Sequence, residues 1–109
     1  MSAPASLSTH VLDVERGRPA VGVRVALHRI EPDRAVVVAE RETDGDGRVR
    51  ELAAGLAPGT YRLTFDVGAY FGGRPRLFAS VSLDVVLGDG HHHVPLLVSP
   101  FACVSYRGS

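Results

Sequence analysis

The stretch Gly59-Thr60-Tyr61-Arg62-Leu63-Thr64-Phe65-Asp66-Val67 decides the fold. Tyr61, Leu63, Phe65 and Val67 fall at every second position, and Arg62, Thr64 and Asp66 fill the positions between. Side chains of an extended chain point alternately to opposite faces, so this spacing predicts a strand with one buried and one polar face. The same period continues outward in both directions. Val23, Val25 and Leu27 alternate with Arg24, Ala26 and His28, and Val81, Leu83, Val85 and Leu87 with Ser80, Ser82, Asp84 and Val86. Turn signals rich in Gly, Pro and Asp separate the runs at 16–19, 31–33, 44–47, 57–59 and 88–90. Short strands at this spacing predict an all-β protein, an antiparallel β-sandwich.

One segment resists the strand reading. Residues 68–77 suit a short helix, but Gly72, Gly73 and Pro75 interrupt it. Gly and Pro cost roughly 1 and 3 kcal/mol in a helix interior, so one or two turns are the most this segment predicts.

Composition narrows the function. At 109 residues the chain is expected to form a single domain over 1–109, with a flexible N-terminus over 1–6. Twelve basic and twelve acidic residues give no net charge, which argues against a nucleic-acid partner held through phosphates. Every cation among them is Arg, so lysine Schiff-base and Ser-Lys chemistry are excluded. Cys103 has no intrachain partner and lies between Ala102 and Val104, where a small buried hydrophobe is expected rather than a nucleophile. The opening Met-Ser-Ala-Pro-Ala-Ser lacks the basic and apolar regions of a signal peptide. The longest aliphatic run, 35–39, is too short to span a membrane, and a cytoplasmic protein with no membrane partner is expected.

Four segments carry a more specific reading: Leu7-Ser8-Thr9-His10-Val11-Leu12-Asp13, Asp46-Gly47-Arg48, His91-His92-His93-Val94-Pro95-Leu96-Leu97 and the last four residues, Tyr106-Arg107-Gly108-Ser109. Together they resemble the 5-hydroxyisourate hydrolases, the transthyretin-like enzymes of urate breakdown. The resemblance runs from about Leu7 to Ser109. It implies a transthyretin-like sandwich of about eight strands with one short helix. Two departures stand out. The family's usual Phe-Phe-Pro-Glu is replaced by Leu77-Phe78-Ala79-Ser80, and His92 stands where the family has Tyr.

The resemblance also implies a site. His10 shares a strand face with Ser8 and Leu12, and His93 opens the penultimate strand opposite the face of Val94, Leu96 and Val98, so both imidazoles are expected to point outward. Carried over from the family, the catalytic set is His10, Arg48, His93 and Ser109, with His10, Arg48 and Tyr106 binding substrate. Either histidine could be the base that activates water, since an unperturbed imidazole titrates near neutrality. Arg48 offers a planar fork of donors to substrate oxygens and developing negative charge. The Ser109 hydroxyl and terminal carboxylate are expected to orient a histidine or the water.

Two other chemistries were open at these residues. Asp44 and Asp46 are spaced like the start of a calcium loop, but position five would be Arg48 and position twelve Gly55, which rules out an EF-hand. His91 and His93, on one strand face, could chelate zinc with His10 as third ligand. The family's hydrolysis needs no metal, so neither a metal nor another cofactor is expected. Further implied are a small-molecule substrate, 5-hydroxyisourate, and a homotetramer with sites at the dimer–dimer interface. The alternative is a non-catalytic transthyretin-type carrier holding a small ligand in the same channel.

Overall fold

The computed structural model describes residues 4–109. In chain order its strands are β1 (Ala5–Asp13), β2 (Arg18–Pro19), β3 (Arg24–Ile30), β4 (Ala35–Glu42), β5 (Arg48–Leu56), β6 (Gly59–Phe65), β7 (Val81–Leu87), β8 (Gly90–His93), β9 (Leu96–Ser99) and β10 (Ala102–Ser105). One helix, α1 (Val67–Phe71), lies between β6 and β7. The strands form two sheets. One is four-stranded in the order β4-β3-β6-β7; in the other, β10-β9-β1-β2 form the path and β5 and β8 also pair with β1.

The alternation read from the sequence becomes the core. Val25 stands opposite Phe65 and Leu27 opposite Leu63 in the β3–β6 ladder, and all four are fully buried. Leu7, Val11, Leu52, Leu96 and Val98 cover them from the other sheet. Each buried Leu or Val of this kind contributes about 1.5–3 kcal/mol. Tyr61 is buried to its ring, and its hydroxyl donates to the Ala57 carbonyl at 2.6 Å, so the polar end stays satisfied.

The helix is as short as its glycines require. Asp66 caps it by accepting from the Ala69 N–H, and Gly72, at φ +63°, ends it.

Four expectations need correction. Ala5 and Ser6, expected in a flexible end, open strand β1, where Ala5 is fully buried; the remainder of that expectation falls partly on residues 1–3, outside the described residues. The expected single strand from His93 onward is two, so that His93 closes β8 and does not open a strand. Pro95, which has no N–H for a ladder, marks the break. The sandwich is not wholly antiparallel, because β1 pairs in parallel with both β8 and β9. The chain crosses between sheets after β7 and arrives alongside β1 in the same direction. Cys103 is exposed rather than buried, because β10 is an edge strand that among the described residues pairs with β9 alone, and its residues 102–104 are all exposed.

Candidate active site

Strand β1 is the axis of the site. On one side β5 runs antiparallel to it, with Arg48 opposite His10. On the other β8 runs parallel, with His93 opposite Ser8 and His91 opposite Ser6. Ser6, Ser8 and His10 alternate along β1 and share its outward face, and residues directly opposite in a ladder share a face too. Arg48, His10, Ser8, His93 and His91 are thereby gathered on one polar patch above the buried Leu7 and Val11.

The turn before β5 sets His10. The Asp44 carboxylate accepts from the N–H groups of Arg48 and Asp46, each at 2.9 Å, and these bonds hold its pKa below the usual carboxylate range. Gly47, at φ +73°, then lies so close to β1 that a Cβ would stand 2.5 Å from the Val11 carbonyl oxygen. That approach lets the Asp46 carbonyl accept from His10 Nε2 at 2.9 Å. A carbonyl can only accept, so Nε2 of the neutral ring carries the hydrogen and Nδ1 keeps a lone pair.

His93 is set from the other side. Its Nδ1 lies 2.8 Å from Ser8 Oγ, which also lies 2.9 Å from His91 Nε2. His91 Nδ1 in turn is 2.7 Å from Ser6 Oγ. Partial burial, followed by the charge of Arg48 and repulsion from any proton gained by His10 or His91, lowers the His93 pKa from that of a free imidazole and favours its neutral form. Ser8, Thr9, Arg48, Arg50 and His93 line a cleft of about 130 Å³. A neutral imidazole beside a fixed guanidinium and a second imidazole can take a proton from water while the cation receives developing negative charge.

The end of the chain hangs from His93. Gly108 N–H donates to the His93 carbonyl at 2.7 Å in an isolated antiparallel bridge. Tyr106 is 55% exposed and lines a different groove, of about 310 Å³, with Val94 and the Leu83–Leu87 edge of β7. Ser105 Oγ bonds the Pro95 carbonyl at 2.8 Å, which anchors the tail on that side. Within one chain, then, Arg48 and His93 share the cleft and His10 stands opposite Arg48 on the same face without lining it, whereas Tyr106 lies outside it. Ser109 is exposed, and among the described residues its hydroxyl bonds to neither histidine.

His91 and His93 do share a face, but their ring nitrogens bracket Ser8. Among the described residues no group of three or more His, Cys, Asp or Glu is arranged to hold a metal ion. No helix among the described residues is long and apolar enough to cross a membrane. Sequence alone singles out neither Ser8 nor Gly108. The alternation placing Ser8 beside His10 was legible, but its pairing with His93 depends on the parallel register.

Comparison with known proteins agrees with this fold. The HIUase/Transthyretin family model matches residues 7–108. A 5-hydroxyisourate hydrolase of Deinococcus radiodurans is 44% identical, with all of both chains covered. The structure of Klebsiella pneumoniae 5-hydroxyisourate hydrolase superposes with a TM-score of 0.88 at 39% identity, covering 96% of this chain and 99% of that one. Sea bream transthyretin in complex with thyroxine superposes with a TM-score of 0.84 at 25% identity, covering 94% and 93%. The chain belongs to the HIUase/Transthyretin family.

Proposed function

We propose that this chain is a hydrolase that opens the ring of 5-hydroxyisourate to 2-oxo-4-hydroxy-4-carboxy-5-ureidoimidazoline. The observation that carries the reading is the placement of His10 and Arg48 on one side of the outward face of β1 and His93 on the other. The full-length similarity to a 5-hydroxyisourate hydrolase supports it.

His93 is the base. Its Nδ1 is engaged by Ser8, which leaves Nε2 for a water molecule, and its lowered pKa favours the neutral ring that a base requires. Nε2 takes a proton as the water oxygen bonds to a ring carbonyl carbon. The resulting oxyanion is stabilised by Arg48, whose guanidinium cannot give up its charge. Collapse breaks the carbon–nitrogen bond, and the leaving nitrogen takes the proton from His93 Nε2. Water has then been added across the ring amide, and the enzyme is restored. His10, fixed by Asp46, presents Nδ1 as an acceptor toward the substrate. The mechanism uses side chains and water alone.

Tyr106 and Ser109 complete the site in an assembly. A cleft of about 130 Å³ is well below the roughly 300 Å³ at which small-molecule pockets begin. A homotetramer in which neighbouring copies close the cleft supplies the missing wall, and Tyr106 of the groove beside β7 is free to form part of it. A cytoplasmic location belongs to the same reading.

The test is direct. Freshly generated 5-hydroxyisourate decays on its own in water, and substoichiometric protein should speed its disappearance with multiple turnovers. A carrier would bind it and leave the decay rate unchanged, and that result would overturn the proposal.

A further inference from the structure

The three nitrogens and two hydroxyls beside the cleft form a continuous chain: Ser6 Oγ, His91 Nδ1, His91 Nε2, Ser8 Oγ, His93 Nδ1, with successive bonds of 2.7, 2.9 and 2.8 Å. We propose that Ser8 and His91 form a hydrogen-bonded wire that fixes the tautomer of His93 and carries protons between its imidazole and solvent. This deepens the hydrolase reading and rests on it.

The wire has a direction because a serine hydroxyl owns one hydrogen. Ser8 Oγ meets two ring nitrogens, so with both rings neutral it donates to one and accepts from the other. The base role of His93 decides which: Nε2, the nitrogen not engaged by Ser8, must keep its lone pair to take a proton from water. His93 shares the cleft with Arg48, whose charge opposes a second proton on the ring. Nδ1 therefore holds the hydrogen and gives it to Ser8. The Ser8 hydroxyl is left to donate to His91 Nε2, and His91 Nδ1–H to Ser6. Every group is satisfied, and His93 Nε2 is presented as the acceptor that a general base requires. The nitrogen bearing the proton is set by the bond the other nitrogen makes.

The same geometry balances the proton account of turnover. When Nε2 takes a proton from water, Nδ1–H can pass to Ser8, Ser8 O–H to His91 Nε2, His91 Nδ1–H to Ser6, and Ser6 O–H to solvent. His93 is then neutral with its hydrogen on Nε2. As Nε2 gives that hydrogen to the leaving nitrogen, the reverse shift refills Nδ1. His91 is exposed, and Ser6 half-exposed, so the outer end of the wire reaches water, whereas Ser8 is buried. The strands themselves hold the spacing: Thr9 Oγ1 donates to the Val94 carbonyl at 2.6 Å and Val94 N–H to the Ser8 carbonyl at 3.0 Å.

Ser8 is thus a positioning residue, and its test needs a readout that packing would not move. Ser8→Ala should lower kcat about tenfold, a part of the 10²–10⁴ that a general acid–base group contributes, with KM within about twofold. Ser8→Thr, which keeps the hydroxyl, should restore most of it. Nitrogen-15 spectra of the full-length protein without substrate should show His93 protonated on Nδ1 in the wild type and redistributed toward Nε2 in Ser8→Ala. A kcat for Ser8→Ala within twofold of wild type, or a His93 tautomer unchanged by that substitution, overturns the wire. If instead the wild type leaves substrate decay untouched, the hydrolase reading fails, and the spectra still decide the tautomer.

Discussion

Gly108 and His93 are in contact through both backbone and ring: the Gly108 N–H donates to the His93 carbonyl, and a Cβ on Gly108 would stand 2.6 Å from His93 Cδ2. The last turn of the chain is thereby tied to the side chain that does the proposed proton transfer. Gly108 does not occupy the left-handed region, so its lack of a side chain serves the close approach and not an unusual backbone.

Gly108→Ala separates these two causes. Where the backbone is compatible, Ala in place of Gly stabilises by about 0.4–1 kcal/mol through the unfolded chain. Here the methyl group has to displace either the ring or the tail. A fall in kcat of about tenfold or more, with the melting temperature little changed, is expected on the 10²–10⁴ scale of acid–base groups. Wild-type kcat would show that the contact is incidental.

Deleting residues 106–109 removes a segment with three exposed residues and one bridge to the rest of the chain. Activity should collapse while circular dichroism still reports a folded sandwich, because the core residues all precede the tail. Light scattering run beside the assay reports whether the assembly weakens as well. Full activity in the truncated protein contradicts a role for the tail, and global unfolding makes it a structural strap.

Gly47→Ala tests the other half of the site. A residue with a side chain is strained at φ +73° by roughly 1–2 kcal/mol, and its Cβ would also clash with the Val11 carbonyl. Destabilisation of about 2 kcal/mol or more by chemical denaturation is expected, with activity lost as the Asp46 carbonyl moves off His10. A variant as stable as wild type would contradict the close packing of this turn on β1.

The pH dependence follows from His93. Its pKa in the folded protein lies below 6.5, so the neutral base persists to lower pH than in a free histidine. The acidic limb of kcat/KM should therefore fall below pH 6.5, and the His93 ring should titrate there by NMR. Stability shares the sign. Between the two pKa values the unfolded chain binds the proton and the folded chain does not, so the His93 contribution is complete above pH 6.5 and declines as pH falls toward the folded value. A limb and a titration at or above 6.5 would contradict the burial and the charges that surround this ring.

How much of this was legible in the sequence varies by residue. The two-residue period of Tyr61, Leu63 and Phe65 is local, and it became β6 with those three residues inside. The brevity of α1 was written in Gly72 and Pro75. Period alone carries no partner and no direction, so the parallel pairing of β1 with β8 was invisible, and with it the place of Ser8 between His91 and His93. His10, Arg48 and His93 were found through motifs shared with a family and are brought together by the register. Tyr106 was expected beside them, and it lies in a neighbouring groove because Ser105 is anchored to Pro95.

The measurement closest to the central claim is initial hydrolysis of 5-hydroxyisourate, at substrate well below saturation, by His10→Ala, Arg48→Ala and His93→Ala beside a His92→Ala control. The side chain of His92 reaches away from the cleft, to the Gly88 carbonyl at 3.1 Å, and its loss should leave the rate within about twofold. Each of the other three lies on the polar face of β1 and its neighbours, so all should remain folded and lose about 10²–10⁴ in kcat/KM. Rates like wild type in all three, from protein shown to be folded, would contradict the assignment of the site.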